Sequence, residues 1–216
     1  EVEGEEALHS EMERLRPAEL LYNEDGQLAT LLSNRKGLRP QAPWHFEHET
    51  AVRLLCQQFN TQDLSGFGCD HLPLALSAAG CLLQYAKDTQ RTALPHIRRI
   101  QIEQLGDSVI LDASTRKNLE IDINLHGGKE HTLADVLDQT STPMGGRLLR
   151  RWLNRPLRDL SLLNQRQQAI AWLMENYRYE DIQQTLKRSG DIERILARVA
   201  LRSARPRDLE RLKHTF

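Results

Sequence analysis

The 216 residues carry 29 Lys and Arg against 30 Asp and Glu, a formal net charge of −1, and only 5% aromatic side chains. No global field of either sign recruits nucleic acid or an anionic membrane. No run approaches the ~18 consecutive apolar residues that a membrane helix needs. The length fits one or two domains. Charge is nevertheless uneven: residues 1–111 hold 10 basic and 16 acidic side chains, and residues 112–216 hold 19 and 14. Such a shift points to two modules with different surroundings. Cys56, Cys69 and Cys81 are odd in number and widely spaced, the pattern of reduced thiols in a cytoplasmic protein and not of a zinc site or disulfide framework. The acidic start Glu1-Val2-Glu3-Gly4 is no signal peptide and reads as a cut inside a longer protein.

In chain order, Leu8, Met12 and Leu15 form one apolar stripe on a short helix that Pro17 stops. Leu20-Leu21-Tyr22 reads as a strand closed by the turn Asn23-Glu24-Asp25-Gly26. A short helix over Gln27–Leu32, a loop through Gly37, Pro40 and Pro43, and a strand at Trp44-His45-Phe46 follow. A helix near Glu49–Phe59 turns Ala51, Val52, Leu55 and Phe59 inward and Arg53 and Gln57 outward. From Leu72 to about Asp88, Leu74, Ala75, Ala78, Ala79, Leu82, Leu83 and Ala86 recur at helical spacing, and Gly80 lets a neighbouring backbone come close. Ile100 and Ile102, the turn Gly106-Asp107, and Val109-Ile110-Leu111 predict a β-hairpin. Strands and helices interleave, so this half reads as α/β with few strands.

After Asp112 the strand signals stop. Asp112 and Ser114 are placed to cap a helix toward Leu119, His126-Gly127-Gly128-Lys129 is a loop, and Thr132 caps Leu133–Leu137. Thr140–Leu157 is the most informative stretch. Pro143 and two glycines open a helix to about Asn154, with Met144, Leu148, Leu149, Trp152 and Leu153 on one apolar face and Arg147, Arg150 and Arg151 opposite. Asp159 begins a helix that buries Leu162, Leu163, Ala169, Ile170 and Leu173. Gly190-Asp191 launches Ile192, Ile195, Leu196, Val199 and Ala200, and Pro206 sits in the first turn of a last helix with Leu209 and Leu212. Trp44, Trp152 and Trp172 are expected to anchor cores.

The segment Thr140–Leu157 resembles, almost letter for letter, the first core-domain segment of the MutS family of DNA mismatch-repair proteins. Gly190–Arg198 with Ala204–Leu209 is similar to a second core stretch of that family. Gly80–Tyr85 and Leu94–Ile97 resemble its late connector domain, and Leu111–Ile121 its entry into the core. The resemblance implies a connector domain over residues 1–111, ribonuclease-H-like α/β with its leading strands missing, and the first part of the helical core, or lever, domain over 112–216. It further implies that a mismatch-reading domain would precede residue 1, and that clamp helices and a Walker-type ATPase would follow residue 216.

The function implied is mechanical: the chain would link the mismatch reader to the core and relay ATP-state changes to the DNA clamp. The exposed connector helix, with Arg53 and Gln57 four residues apart, would dock a MutL-type partner. The longer protein would be a homodimer on mismatched duplex DNA that uses ATP and Mg²⁺. The fragment itself would be no enzyme and would hold no cofactor or metal, since Gly145-Gly146-Arg147-Leu148 lacks the lysine and hydroxyl of a phosphate-binding loop. Two other classes compete. In one, an autonomous nucleic-acid-binding module uses Arg147, Arg150, Arg151, Arg155 and Arg158 on phosphates, against the alternative that these arginines pair with carboxylates or stand solvated. In the other, a two-metal nuclease uses carboxylates such as Asp107 and Asp112, which equally suit a turn and a cap. His45 and His48 span a junction where a shared metal would be fortuitous.

Overall fold

The computed structural model describes residues 1–32 and 35–216, so Ser33 and Asn34 of the expected loop lie outside the described residues. The chain forms two compact units: residues 1–4 with 15–102, and residues 5–14 with 103–216. The sequence reading divides the chain nine residues later, at Leu111.

The first unit is α/β. Strand β1 (Leu20–Asn23) pairs in parallel with β2 (Leu38–Gln41), in the register Leu20 to Leu38 and Tyr22 to Pro40, and the short helix α2 (Leu28–Leu31) lies between them in sequence. The second strand replaces the expected loop. Proline donates no ladder bond, which suits an edge strand and also hides one from a sequence reading. Trp44-His45-Phe46 is no strand: Pro43–Phe46 is a 3₁₀ turn with Pro43 at its start, and Trp44 is 67% exposed, not a core anchor. Among the described residues no hairpin forms over 100–111. Leu105–Asp107 is a 3₁₀ turn, and Ser108 instead bridges antiparallel to Leu157 within the second unit.

Helices α3 (His48–Phe59) and α4 (Pro73–Gln90) carry this unit's core. Ala51 and Leu55 of α3, Leu76, Cys81 and Leu83 of α4, and Leu64 and Leu94 are all buried. Leu74 and Leu82, expected inward, are exposed; leucines surround α4, so periodicity alone could not choose the buried face. Gly80 is the contact point. A Cβ there would lie 2.4 Å from the Ala51 Cβ and 2.6 Å from its Cα. Asn60 ends α3 in the left-handed conformation (φ 56°), and Thr61 N–H donates to the Cys56 carbonyl. The Gln58 amide donates to the carbonyls of Leu94 (2.8 Å) and Ile97 (3.1 Å), fixing the segment after α4. Glu19, just before β1, accepts from Arg39 on β2 and from the Tyr85 hydroxyl of α4 (2.7 Å). All three cysteines are free thiols; burial pushes the Cys69 and Cys81 thiols up from their ordinary value.

The second unit is helical: α1 (Glu5–Leu15), α5 (Ala113–Asn118), α6 (Leu133–Leu137), α7 (Pro143–Asn154), α8 (Leu160–Met174), α9 (Arg178–Arg188), α10 (Ile192–Ala200) and α11 (Pro206–Thr215). Capping chemistry sets the starts. Asp112, Thr132, Thr142, Asp159 and Asp191 each accept from a backbone N–H three residues on. Apolar burial is sparse, led by Ile121, Ala134 and Ile195. α8 buries none of the residues expected of it, and Trp152 and Trp172 are 42% and 55% exposed. Asn176 and Tyr177, between α8 and α9, are both left-handed (φ 53° and 57°). No helix among the described residues is long and apolar enough to cross a membrane.

Replacing Gly80 with alanine should force α3 and α4 apart and cost about 1–3 kcal/mol, the usual range for an overpacked core. Urea titration checks this. The second substitution Ala51→Gly, which removes one of the two close atoms, should recover part of the loss.

Candidate functional site

The arginine-bearing helix α7 is built from its first turn outward. Thr142 caps it, accepting from Gly145 N–H at 3.0 Å, and Pro143 occupies the first helical position, where no N–H is needed. The two glycines sit in close quarters with side chains, and neither has a left-handed backbone angle. A Cβ on Gly145 would sit 3.1 Å from the Thr140 Cβ, and one on Gly146 would sit 3.0 Å from the Asp138 carboxylate. The turn Asp138–Thr140 therefore lies directly against the helix start. Gly146 is the only fully buried residue of α7, and Leu148 and Trp152 are exposed, so the expected apolar face is at most half covered.

Asp138 and Thr140 of that turn are both engaged. Asp138 accepts from the Thr140 hydroxyl at 2.6 Å and from Arg150 Nη1 at 2.9 Å. The Thr140 bonds, then Arg150, hold this carboxyl below its ordinary value. Arg147 reaches Asp191, 44 residues on, through two parallel bonds of 2.8 and 2.7 Å, and Glu193 at 2.8 Å. The same Asp191 caps α10, and the Arg147 bonds lower its pKa while raising that of the guanidinium. At the far end of α7, Asn154 accepts from Arg116 (3.0 Å) and donates to Asp122, while Arg116 also reaches the Leu111 carbonyl. Arg155 pairs with Glu103, whose other oxygen takes Arg14 of α1.

Three arginines of the sequence motif thus have carboxylate partners: Arg147, Arg150 and Arg155. Arg151 and Arg158 are exposed, and their side chains make no hydrogen bond or ion pair among the described residues. The phosphate-tracking row expected of the motif is largely neutralised. Sequence reasoning named the arginines but not their acceptors Asp138 and Asp191. The capping position of Asp191 was visible; its pairing across 44 residues carried no local signal.

Arg53 and Gln57 project from the exposed side of α3, and Arg53 approaches only the Thr50 hydroxyl, at 3.5 Å. Asp107 lies in a 3₁₀ turn whose carbonyl accepts from Arg158 N–H, and Asp112 caps α5. His45 belongs to the 3₁₀ turn and His48 begins α3. Among the described residues no three of His, Cys, Asp and Glu converge as a metal would require.

Comparison with known families decides the identity of the two units. Residues 1–98 match MutS domain II, and residues 114–216 match MutS domain III. The chain belongs to the MutS family. It carries the connector and core domains of a DNA mismatch-repair protein, an α/β unit followed by a helical one. Apart from Arg14, which falls in the stretch matching MutS domain II, the arginine network lies within MutS domain III or its lead-in, and α3 lies within MutS domain II.

The lowered carboxylates set a direction for acid stability. Asp138 and Asp191 have folded pKa values below the ordinary ~4 of the unfolded chain. Their stabilisation is complete above that value and is lost as pH falls through the lower, folded values. Thermal melts followed by circular dichroism should therefore show the advantage of wild type over Asp191→Asn as constant from pH 7 to about 5. The advantage should shrink below about pH 4. A gap that stays constant down to pH 2 would contradict the shift.

Proposed function

We propose that this chain works mechanically within a longer mismatch-repair protein. The connector joins the mismatch-reading region to the core, and the core helices carry the effect of ATP binding toward the DNA clamp, a coupling between distant sites. The observation that carries this reading is the consecutive match to MutS domains II and III. The tying of α7 supports it, because an element that passes on displacement must be fixed to its neighbours. Arg147, Arg150 and Arg155 fix α7 and its C-terminal flank at three places along its length.

In this reading the exposed face of α3, with Arg53 and Gln57, docks a MutL-type partner. The chain's own residues supply no catalytic group, cofactor site or metal site. ATP and Mg²⁺ act in the ATPase domain of the longer protein, a cytoplasmic homodimer on mismatched duplex DNA. A second reading, sequence-blind nucleic-acid binding by the basic half, draws its support from Arg151 and Arg158, which remain available for phosphate contact.

Capture of MutL on the immobilised chain should drop with Arg53→Glu and with Gln57→Glu; retention undiminished by both would move the contact elsewhere. The purified chain should release no phosphate from ATP, since turnover needs a phosphate-cradling loop and a Mg²⁺ site. Fluorescence anisotropy should show equal, weak affinity for matched and mismatched duplexes, declining steeply as salt rises. A clear mismatch preference would overturn the mechanical assignment.

A further inference from the structure

The helical unit has a second arginine cluster, and it differs from that of α7 in one respect: one carboxylate stands among four arginines, and only Arg198 forms an ion pair with it. A cavity of about 650 Å³ opens where α10 ends and α11 begins, lined by Arg198, Ser203, Arg205, Arg207, Asp208 and Arg211. Four guanidinium groups face one carboxylate. That carboxylate is already committed: Asp208 accepts from Arg198 Nε (3.0 Å) and Nη2 (2.8 Å) and from Arg205 N–H (3.0 Å). Arg207 and Arg211, one helical turn apart on α11, make no hydrogen bond or ion pair among the described residues. At the start of α7 a comparable cavity of about 590 Å³ holds Arg147, Arg150 and Arg194, each beside a carboxylate. The two clusters share a residue type and differ in residual charge.

Arg205 and Arg207 flank the N-terminal end of α11, where the helix dipole is positive and cations are disfavoured. Like charges converging in a concavity also repel. Arg202 is left-handed (φ 54°), and Ser203 N–H next to it donates to the Arg198 carbonyl at the end of α10. Arg205, Arg207 and Arg211 are all exposed, so an anion entering from solvent can reach each of them. Guanidinium groups bind phosphate oxygens in fork geometry, and backbone N–H groups at a helix start add donors.

We propose that the cavity between α10 and α11 binds a phosphate group, held by Arg205, Arg207 and Arg211, with the Arg198–Asp208 pair as its rigid floor. The site is independent of partner docking on α3 and of the arginines of α7.

Calorimetric titration of the chain with inorganic pyrophosphate, in dilute chloride buffer, tests this. Wild type should bind saturably at one site, and Arg207→Gln and Arg211→Gln should each weaken binding at least about tenfold, as loss of a charge-assisted contact does. Arg151→Gln, an equally unpaired arginine outside the cavity, should change it less than about twofold. Circular dichroism melts without phosphate should show both cavity variants as stable as wild type, because each removes an unpaired cation. A duplex-DNA competition arm identifies the source of the phosphate. Displacement of pyrophosphate by duplex marks the nucleic-acid backbone, and no displacement marks a free phosphate ester; either accompanies a working site. Absence of saturable binding, or equal weakening by Arg151→Gln, overturns the proposal.

Discussion

Arg147 and Asp191 meet through two parallel hydrogen bonds, and much of the helical unit's order depends on that contact. The same carboxylate stops the chain from fraying before α10 by capping it, so one residue sets both where α10 begins and what it is tied to. An isolated exposed ion pair contributes little, because ordering two long side chains costs entropy. Here the guanidinium is shared between Asp191 and Glu193, and Asp191 is already fixed by its cap. Arg150 with Asp138, and Arg155 with Glu103 and Arg14, extend the same logic along α7 and beyond its end. The network matters because apolar burial is scarce in this unit: α8 contributes no buried residue at all.

The α/β unit rests on different physics. Its helices touch at Gly80 and Ala51, close enough that one added methyl group cannot be accommodated without movement. Leu55, Leu64, Leu76 and Leu83 close the core around that contact, and Gln58 ties the outgoing segment to α3 through two carbonyls. Shape fixes the geometry here, and charge fixes it in the helical unit. The uneven charge along the sequence reflects this division, with the basic surplus falling in the half that uses guanidinium groups to join helices.

Helices were legible where local chemistry marked them. Asp112, Thr132, Thr142, Asp159 and Asp191 all cap as their residue types suggest, and Pro206 opens α11. What stayed hidden depended on distant partners. Pro40 disguised β2, whose pairing with β1 needs a crossover. Ile100 and Ile102 alternate with polar residues and Val109-Ile110-Leu111 reads as the second arm of a hairpin, yet Ser108 pairs with Leu157, far along the chain. The tryptophans looked like core anchors by size alone, but Trp152 and Trp172 serve as platforms: Arg166 stacks over the first at 3.8 Å and Arg178 over the second at 4.5 Å. Hydrophobicity says what can be buried, and only the neighbours say what is.

The arginines show the same limit most sharply, because one residue type has three fates in this unit. Arg147 and Arg150 pair with carboxylates, Arg166 lies over an indole ring (Arg178 does both, over Trp172 and beside Glu175), and Arg151, Arg207 and Arg211 make no hydrogen bond or ion pair among the described residues. A count of basic residues therefore overstates the binding capacity of the α7 motif and understates that of the α10–α11 turn. Residual charge, after internal pairs are subtracted, is what an external anion meets. By that measure the motif most recognisable in the sequence is chiefly internal architecture, whereas at the α10–α11 turn Arg205, Arg207 and Arg211 line a cavity with a single carboxylate that already accepts from Arg198 and from Arg205 N–H.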